Sequence, residues 1–340
     1  MAVATLGRMA PSRLLAPLLF AFSLATGAAL ASGGTGAPAP APRPLAPTSA
    51  AIEVPLATAI GPAAARRAPS PAAARNGGVA GSPVTGSDRL FPETRVVTVY
   101  GAPQLSATIV GKRSPSGSAS EAVRLSTRYA EIDPRPARPG IDLIATVATA
   151  DKGPSGLYRS RQSPGLIAAY LDAARAVGGR LVLDIQPGRA KFIREVRAYE
   201  EWLVEPDVDI ALDPEWNVGR RGIPGVTEGK VTAKQLNKVS SYLAGIVTDN
   251  DLSQKGLYVH QFREGSVRGR EDVAQRGAKV AVTLSFDGIG SPAPKIAGYQ
   301  NLSQPGLFNG FSVFVSLDTD VMGFRQVAEL DPVADYVMYQ

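Results

Sequence analysis

The tetrad Asp213-Pro214-Glu215-Trp216 sets two carboxylates and a tryptophan within four residues. Residues two apart on an extended strand share a face, and a residue before proline is held extended, so Asp213 and Glu215 are expected side by side. Neighbouring carboxylates cannot both ionise cheaply; one keeps its proton toward neutral pH and can pass it to a leaving oxygen. Trp216 adds a flat apolar face on which a sugar can stack. The combination points to glycoside chemistry, with Glu215 as general acid/base and Asp213 tuning it. The plainer reading is a polar strand end with Trp216 capping a core.

Other polar residues fall at similar places. Asp184 interrupts the apolar run Leu181–Gln186 (LVLDIQ), and Asp287 follows the run Lys279–Phe286. Asp287 is the candidate for the second catalytic carboxylate, with Asp184 as the alternative. Tyr100, Asp184, Gln186, Trp216, His260, Gln261 and Tyr339 are the candidate sugar-binding residues. His260 is the single histidine, and cysteine is absent. That excludes disulfides, thiolate metal sites, iron–sulfur clusters, a cysteine nucleophile and paired-histidine zinc motifs. No GxSxG elbow and no GxxxxGK[ST] loop occurs. Gly288–Ala293 matches GxGxxA after a strand, but Pro292 and Pro294 are expected to prevent the helix that a dinucleotide site needs. No cofactor and no resident metal are expected.

Eight short apolar runs must position these groups: 95–100, 141–148, 181–186, 208–213, 256–261, 279–286, 311–317 and 335–339. Runs this short and apolar on both faces suit buried parallel strands. Helical periods lie between them. Leu166, Ile167, Tyr170, Leu171, Ala174 and Val177 form one face, stopped by Gly178-Gly179. Phe192, Ile193, Val196, Tyr199, Trp202 and Leu203 form another. Thr232 and Gln235 form a capping box ahead of Leu236, Val239, Leu243, Ile246 and Val247. The helices after the fifth, sixth and seventh runs are weaker. The alternation predicts an α/β fold, a closed (β/α)8 TIM barrel over 93–340, with an open doubly wound sheet as the alternative. Barrel sites lie at the carboxyl ends of the strands, where Thr149, Asp151, Asp184, Asp213, His260, Asp287 and Asp318 also fall.

The first 92 residues read differently. Arg8 and Arg13 precede the apolar stretch Leu14–Leu24, and Ala29-Leu30-Ala31 has the form of a cleavage site, so 1–31 reads as a signal peptide. An uncleaved anchor is the alternative. Residues 32–92 are an Ala/Pro/Gly-rich spacer too poor in large apolar groups to build a core. The chain carries a formal charge of +6. Seven arginines against Glu53 and Asp88 put most of it in 1–92. The nearly balanced remainder gives no electrostatic footprint for nucleic acid. No later segment is apolar enough to span a bilayer.

LDIQPGRA (183–190), ALDPEW (211–216) and VHQFR (259–263), with Tyr100-Gly101 and a terminal Tyr339-Gln340, resemble an uncharacterised secreted bacterial (β/α)8-barrel family. That family is regarded as glycosidase-like and occurs in cell-envelope proteins with low-complexity spacers. The likeness covers about 95–340 and implies fold and export more than a reaction. Chitinase-type barrels carry DGxDxDxE on the fourth strand; over Val208–Glu215 only Asp213 and Glu215 match, which argues against a substrate-assisted mechanism. The expectation is an exported monomeric glycoside hydrolase-like protein acting on envelope or extracellular polysaccharide. The alternatives are a non-catalytic glycan-binding barrel and a metal-dependent phosphodiesterase using Asp184, Asp213, Glu215 and His260 with Mg²⁺ or Ca²⁺.

Overall fold

The computed structural model describes residues 89–340. The signal peptide expected at 1–31 and nearly all of the spacer expected at 32–92 lie outside the described residues. The strands are β1 (Arg95–Gly101), β2 (Ala137–Ala148), β3 (Arg180–Ile185), β4 (Val208–Leu212), β5 (Lys255–Gln261), β6 (Val280–Phe286), β7 (Phe308–Val313) and β8 (Tyr336–Tyr339). Each pairs in parallel with the next, and β8 returns to β1 with Val96 opposite Tyr336. The sheet is therefore a closed eight-stranded α/β barrel, not an open sheet. The strand Arg159–Arg161 runs antiparallel along the end of β2.

The helices are α1 (Pro115–Ala130), α2 (Pro164–Ala176), α3 (Phe192–Arg197), α4 (Glu200–Leu203), α5 (Ala233–Asp249), α6 (Pro292–Leu302) and α7 (Phe324–Ala328). Ser114 and Ser163 cap α1 and α2, each followed by a proline whose missing N–H costs nothing in the first turn. Thr232 and Gln235 form the expected capping box of α5. Gly178, at φ 65°, ends the α2 turn in a conformation that glycine adopts readily.

Four expectations change. The helix after β3 breaks into α3 and α4, and Tyr199 at the break donates its hydroxyl to the carbonyl of Ala145 at 2.7 Å. Helix α6 forms in spite of its prolines, because Pro292 and Pro294 both fall in the first turn, where backbone N–H groups lack helical partners. Between β5 and β6 there is no α-helix. Two short 3₁₀ turns and the strand Val267–Arg268 cross instead, in a segment interrupted by Gly265 and Gly269. Strand β7 starts at Phe308 and ends at Val313, earlier than the expected 311–317.

Two apolar layers result. One fills the space between strands and helices, and the other fills the bore with Val96, Ile144, Val182, Ala211, Tyr258, Ala281, Tyr336 and Met338. A bulge between Ile144 and Thr146 shifts the parity of β2 near its carboxyl end. Leu90 and Phe91 also belong to the bore cluster. The Phe91 ring lies 5.3 Å from Phe308 and 6.3 Å from Tyr258. The backbone N–H groups of Leu90 and Phe91 both donate to Gln254 Oε1. The barrel's packing thus begins at Leu90, just before the boundary at 93 that composition suggests. No helix among the described residues is long and apolar enough to cross a membrane.

Replacing Phe91 with Ala removes a buried ring from this plug. The expected loss is about 3–5 kcal/mol of unfolding free energy, read from urea denaturation. A variant as stable as the parent would show that the plug contributes nothing.

Candidate active site

The bore carries acids at successive levels. At the amino-terminal end Asp209 accepts from Arg180 Nε at 2.5 Å and Nη2 at 2.7 Å, and from the Gly256 N–H at 2.8 Å. Above it Tyr258 stacks on Tyr336 with centroids 4.0 Å apart. Tyr336 donates to Asp142 Oδ2, while Thr98 donates to the Tyr336 hydroxyl at 3.0 Å. Higher still, Tyr100 donates to Asp184 Oδ2 at 3.1 Å. Gln186 Nε2 bridges the Tyr100 hydroxyl at 3.3 Å and Asp213 Oδ2 at 3.4 Å. Its Oε1 is fixed by the Ala148 N–H at 3.1 Å.

At the carboxyl-terminal mouth Asp213 Oδ1 accepts from the Glu215 N–H at 3.2 Å. On the adjacent strand β5, His260 Nδ1 stands 3.7 Å from Asp287 Oδ2, just past the end of β6, and Gln340 donates to Asp287 Oδ1 at 3.2 Å. The His260 ring meets Tyr100 edge-on at 6.1 Å.

Burial is the main cause of the proton affinities here, and mutual repulsion adds to it. Asp213 is pushed well above the ordinary carboxylate range by burial, then by Asp184, Glu215 and Asp287. Asp142 is raised in the same way, by burial and then Asp184. Asp184 rises to about 6, because burial outweighs the opposing pull of His260 and the Tyr100 hydrogen bond. Glu215 rises to about 7 through burial, Asp287 and Glu228. Tyr100 is driven up by burial and by Asp184, so it stays a neutral donor.

The structure thus brings Tyr100, Asp184, Gln186, Asp213, Glu215, His260 and Asp287 to one end of the barrel. The reason differs from the expected one at Pro214. Strand β4 ends at Leu212, and Pro214–Trp216 is a 3₁₀ turn capped by the Asp213 side chain. A turn, not strand periodicity, holds Asp213 beside Glu215. Trp216 sits half-buried on that turn.

Two expected sugar ligands face elsewhere. Gln261 donates to the Leu302 carbonyl at the end of α6, at 2.8 Å. The Tyr339 hydroxyl pairs with Tyr129 of α1 at 2.8 Å. Each lies next in sequence to a residue facing the bore, and successive strand residues point to opposite faces. Asp318, past the end of β7, is a structural anchor that binds Lys295 and the N–H groups of Gly290 and Phe314. Thr149 and Asp151 lie on an outer loop, where the Thr149 hydroxyl donates to the Asp151 carbonyl.

Asp142 and Gln340 join the site without having been singled out. Asp142 interrupts the apolar run IDLIATVA just as Asp184 interrupts LVLDIQ, and that signal was available. Several buried atoms of the bore find no partner among the protein's own groups: Asp142 Oδ1, Asp184 Oδ1, both His260 nitrogens and Ser285 Oγ. Among the described residues no three acids or imidazoles gather at metal-ligand spacing, so Asp184, Asp213, Glu215 and His260 do not form a cage for Mg²⁺ or Ca²⁺. In comparisons with known proteins, no family model and no curated protein matches the chain.

Asp184 generates a stability prediction. Its proton affinity is higher folded than unfolded, so the folded state holds the extra proton between pH 4 and 6. Stability from this group is present at low pH and lost as pH rises through 6. The parent should lose roughly 2 to 3 kcal/mol relative to Asp184→Asn between pH 4 and pH 7.5, by urea denaturation at each pH. A difference independent of pH would contradict the assignment.

Proposed function

We propose that the barrel cleaves glycosidic bonds of an envelope or extracellular polysaccharide by carboxylate acid/base chemistry, and that the chain is exported. The observation that carries this reading is the Glu215 carboxyl, lifted to about 7 at the strand ends beside Asp213 and Asp287. A carboxyl poised near neutrality can protonate a glycosidic oxygen as the carbon–oxygen bond breaks, then act as base toward water.

In this reading Asp287 is the second carboxylate. It meets the positive charge developing on the sugar ring, either directly or through an oriented water. Carboxyl groups about 5–5.5 Å apart in the substrate complex would give retention, and about 6.5–9.5 Å inversion. Asp287 and Glu228 add to burial in raising the proton affinity of Glu215, and Asp213 caps the turn that carries it. Asp184, Gln186, Tyr100 and His260 supply donors and acceptors for ring hydroxyls, and Trp216 is the stacking surface.

The resemblance of LDIQPGRA, ALDPEW and VHQFR to secreted glycosidase-like barrels supports the same class. So does the signal-like segment at 1–31. A carboxyl raised at the strand ends suits proton transfer, which supports catalysis over the binding reading.

Glu215→Gln should lower release of reducing ends from isolated cell-wall and capsular glycans by about 10²-fold or more while leaving the fold intact. The parent's kcat/KM should fall above pH 7, as Glu215 loses its proton. Unchanged turnover in the variant would overturn the role of Glu215.

A further inference from the structure

Of the seven large apolar side chains exposed among the described residues, six stand on three loops at the carboxyl-terminal mouth of the barrel. Ile223 and Val226 belong to the loop after β4 and Ile289 to the loop after β6. Val315, Leu317 and Val321 belong to the loop after β7. Exposed apolar residues scattered over a surface need no explanation, but a set confined to one face does. The chain enters the barrel at the other end, where Leu90 and Phe91 pack in the bore, and its entry leaves this face open.

The loop after β4 presents its apolar residues on a tip. In Ile223-Pro224-Gly225-Val226 the Val226 N–H donates to the Ile223 carbonyl at 3.0 Å, and Gly225 sits at φ 78°. Proline second and glycine third suit a type II turn. The Thr227 N–H donates to the same carbonyl at 2.7 Å, and the Thr227 hydroxyl accepts the Ile223 N–H at 3.2 Å. Both backbone polar groups of Ile223 and the N–H of Val226 are thus satisfied within the tip, while the Val226 side chain is 75% exposed. The loop is tied to the rim on both sides. Arg189 Nε donates to the Gly222 carbonyl at 2.7 Å, and the Gly229 N–H donates to the Glu215 carbonyl at 2.6 Å.

Charge on these loops favours one sign. Arg220, Arg221 and Lys230 flank the tip and are exposed, and among the described residues none of them pairs with an acid. The acid of the same loop, Glu228, is taken by Arg263. The loops after β6 and β7 are joined where the Gly290 N–H meets Asp318 Oδ1 at 3.0 Å, and Asp318 is taken by Lys295. Asp320 is the one exposed acid on the three loops.

We infer that this face docks on an anionic lipid bilayer. The aliphatic side chains of the three loops enter the boundary between headgroups and acyl chains, and Arg220, Arg221 and Lys230 lie against lipid phosphates. Long cationic side chains reach headgroups while their apolar neighbours are buried, and attraction to anionic lipid adds to that burial. A turn whose backbone groups bond one another enters such a boundary at lower cost than an open one. Aliphatic tips divided among separate loops, with unpaired cations beside them, fit a fluid surface better than a shaped partner. The docking goes beyond the glycosidase reading and does not depend on it.

The test uses the absence of cysteine, which lets a single introduced thiol carry an environment-sensitive dye. Whole chains bearing Val226→Cys, Leu317→Cys or, as a control at the opposite end, Val333→Cys are labelled with a nitrobenzoxadiazole dye. They are titrated with vesicles of phosphatidylcholine alone, or of phosphatidylcholine and phosphatidylglycerol in equal parts. The expected result is a blue shift and rise in emission at 226 and 317 on the anionic vesicles, with the dye at 333 unchanged. Replacing Arg220, Arg221 and Lys230 with Gln should raise the lipid needed for half the response at 226 by at least about tenfold. Circular dichroism checks that the labelled and substituted chains stay folded. Capture through the apolar stretch Leu14–Leu24 alone leaves the dyes at 226 and 317 in water, and that result overturns the inference. So does a response at 333 equal to that at 226, or one that ignores phosphatidylglycerol. A shift at 226 that grows with protein concentration without vesicles assigns the face to a second copy of the chain and overturns it as well.

Discussion

A carboxylate moved from water into a barrel bore loses its hydration, and something must replace it: a cation, a hydrogen-bond donor or a proton. This bore uses all three. Asp209, at the amino-terminal end, is matched by the Arg180 guanidinium. Asp142 and Asp184, at the middle levels, are met by tyrosine hydroxyls. A tyrosine donates one hydrogen bond and no charge, so the balance there is made up by protons. Asp142, and Asp213 above it, retain protons that an exposed aspartate would release, because burial and the neighbouring carboxylates oppose their ionisation. The raised proton affinity of Glu215 belongs to the same gradient, since it depends on burial and on how many neighbours are ionised.

The packing beneath serves the same end. Tyr258 and Tyr336 stack face to face in the bore, and Phe91 closes them off from below. Their width requires an absent side chain nearby: a Cβ at Gly256 would lie 2.4 Å from the Tyr258 hydroxyl oxygen. The tyrosine layer seals the site from the amino-terminal end, excludes water and points hydroxyls at the carboxylates. Core and site are thus the same side chains seen from two ends.

Much of this was legible in the chain. Short apolar runs marked the strands because both faces of a barrel strand are buried, and the Thr232–Gln235 capping box and Gly178 marked helix ends by local chemistry alone. Asp184 stood out because an acid inside an apolar run must have a specific partner. The same argument applied to Asp142. What was not legible required the third dimension. Whether His260 or Gln261 faces the bore depends on parity, and a run apolar on both faces does not announce its parity. The bulge at the end of β2 shifts it again. The turn at Pro214 brings Asp213 and Glu215 together by a geometry that strand spacing does not describe. The helix α6 hid behind prolines whose position, rather than presence, decides their effect. Leu90 and Phe91 read as spacer because their partners, Gln254 and Tyr258, are far away in sequence.

The central claim is that burial, with few counter-charges to offset it, raises the proton affinities of the acids of the bore and mouth well above those of exposed carboxylates. Carbon-detected NMR of protein with ¹³C-labelled aspartate and glutamate carboxyls, titrated from pH 4 to 9, measures this directly. The account expects Asp142 and Asp213 to titrate well above the ordinary carboxylate range, with Asp184 near 6 and Glu215 near 7. Carboxyl signals that have all titrated by pH 5 would contradict it.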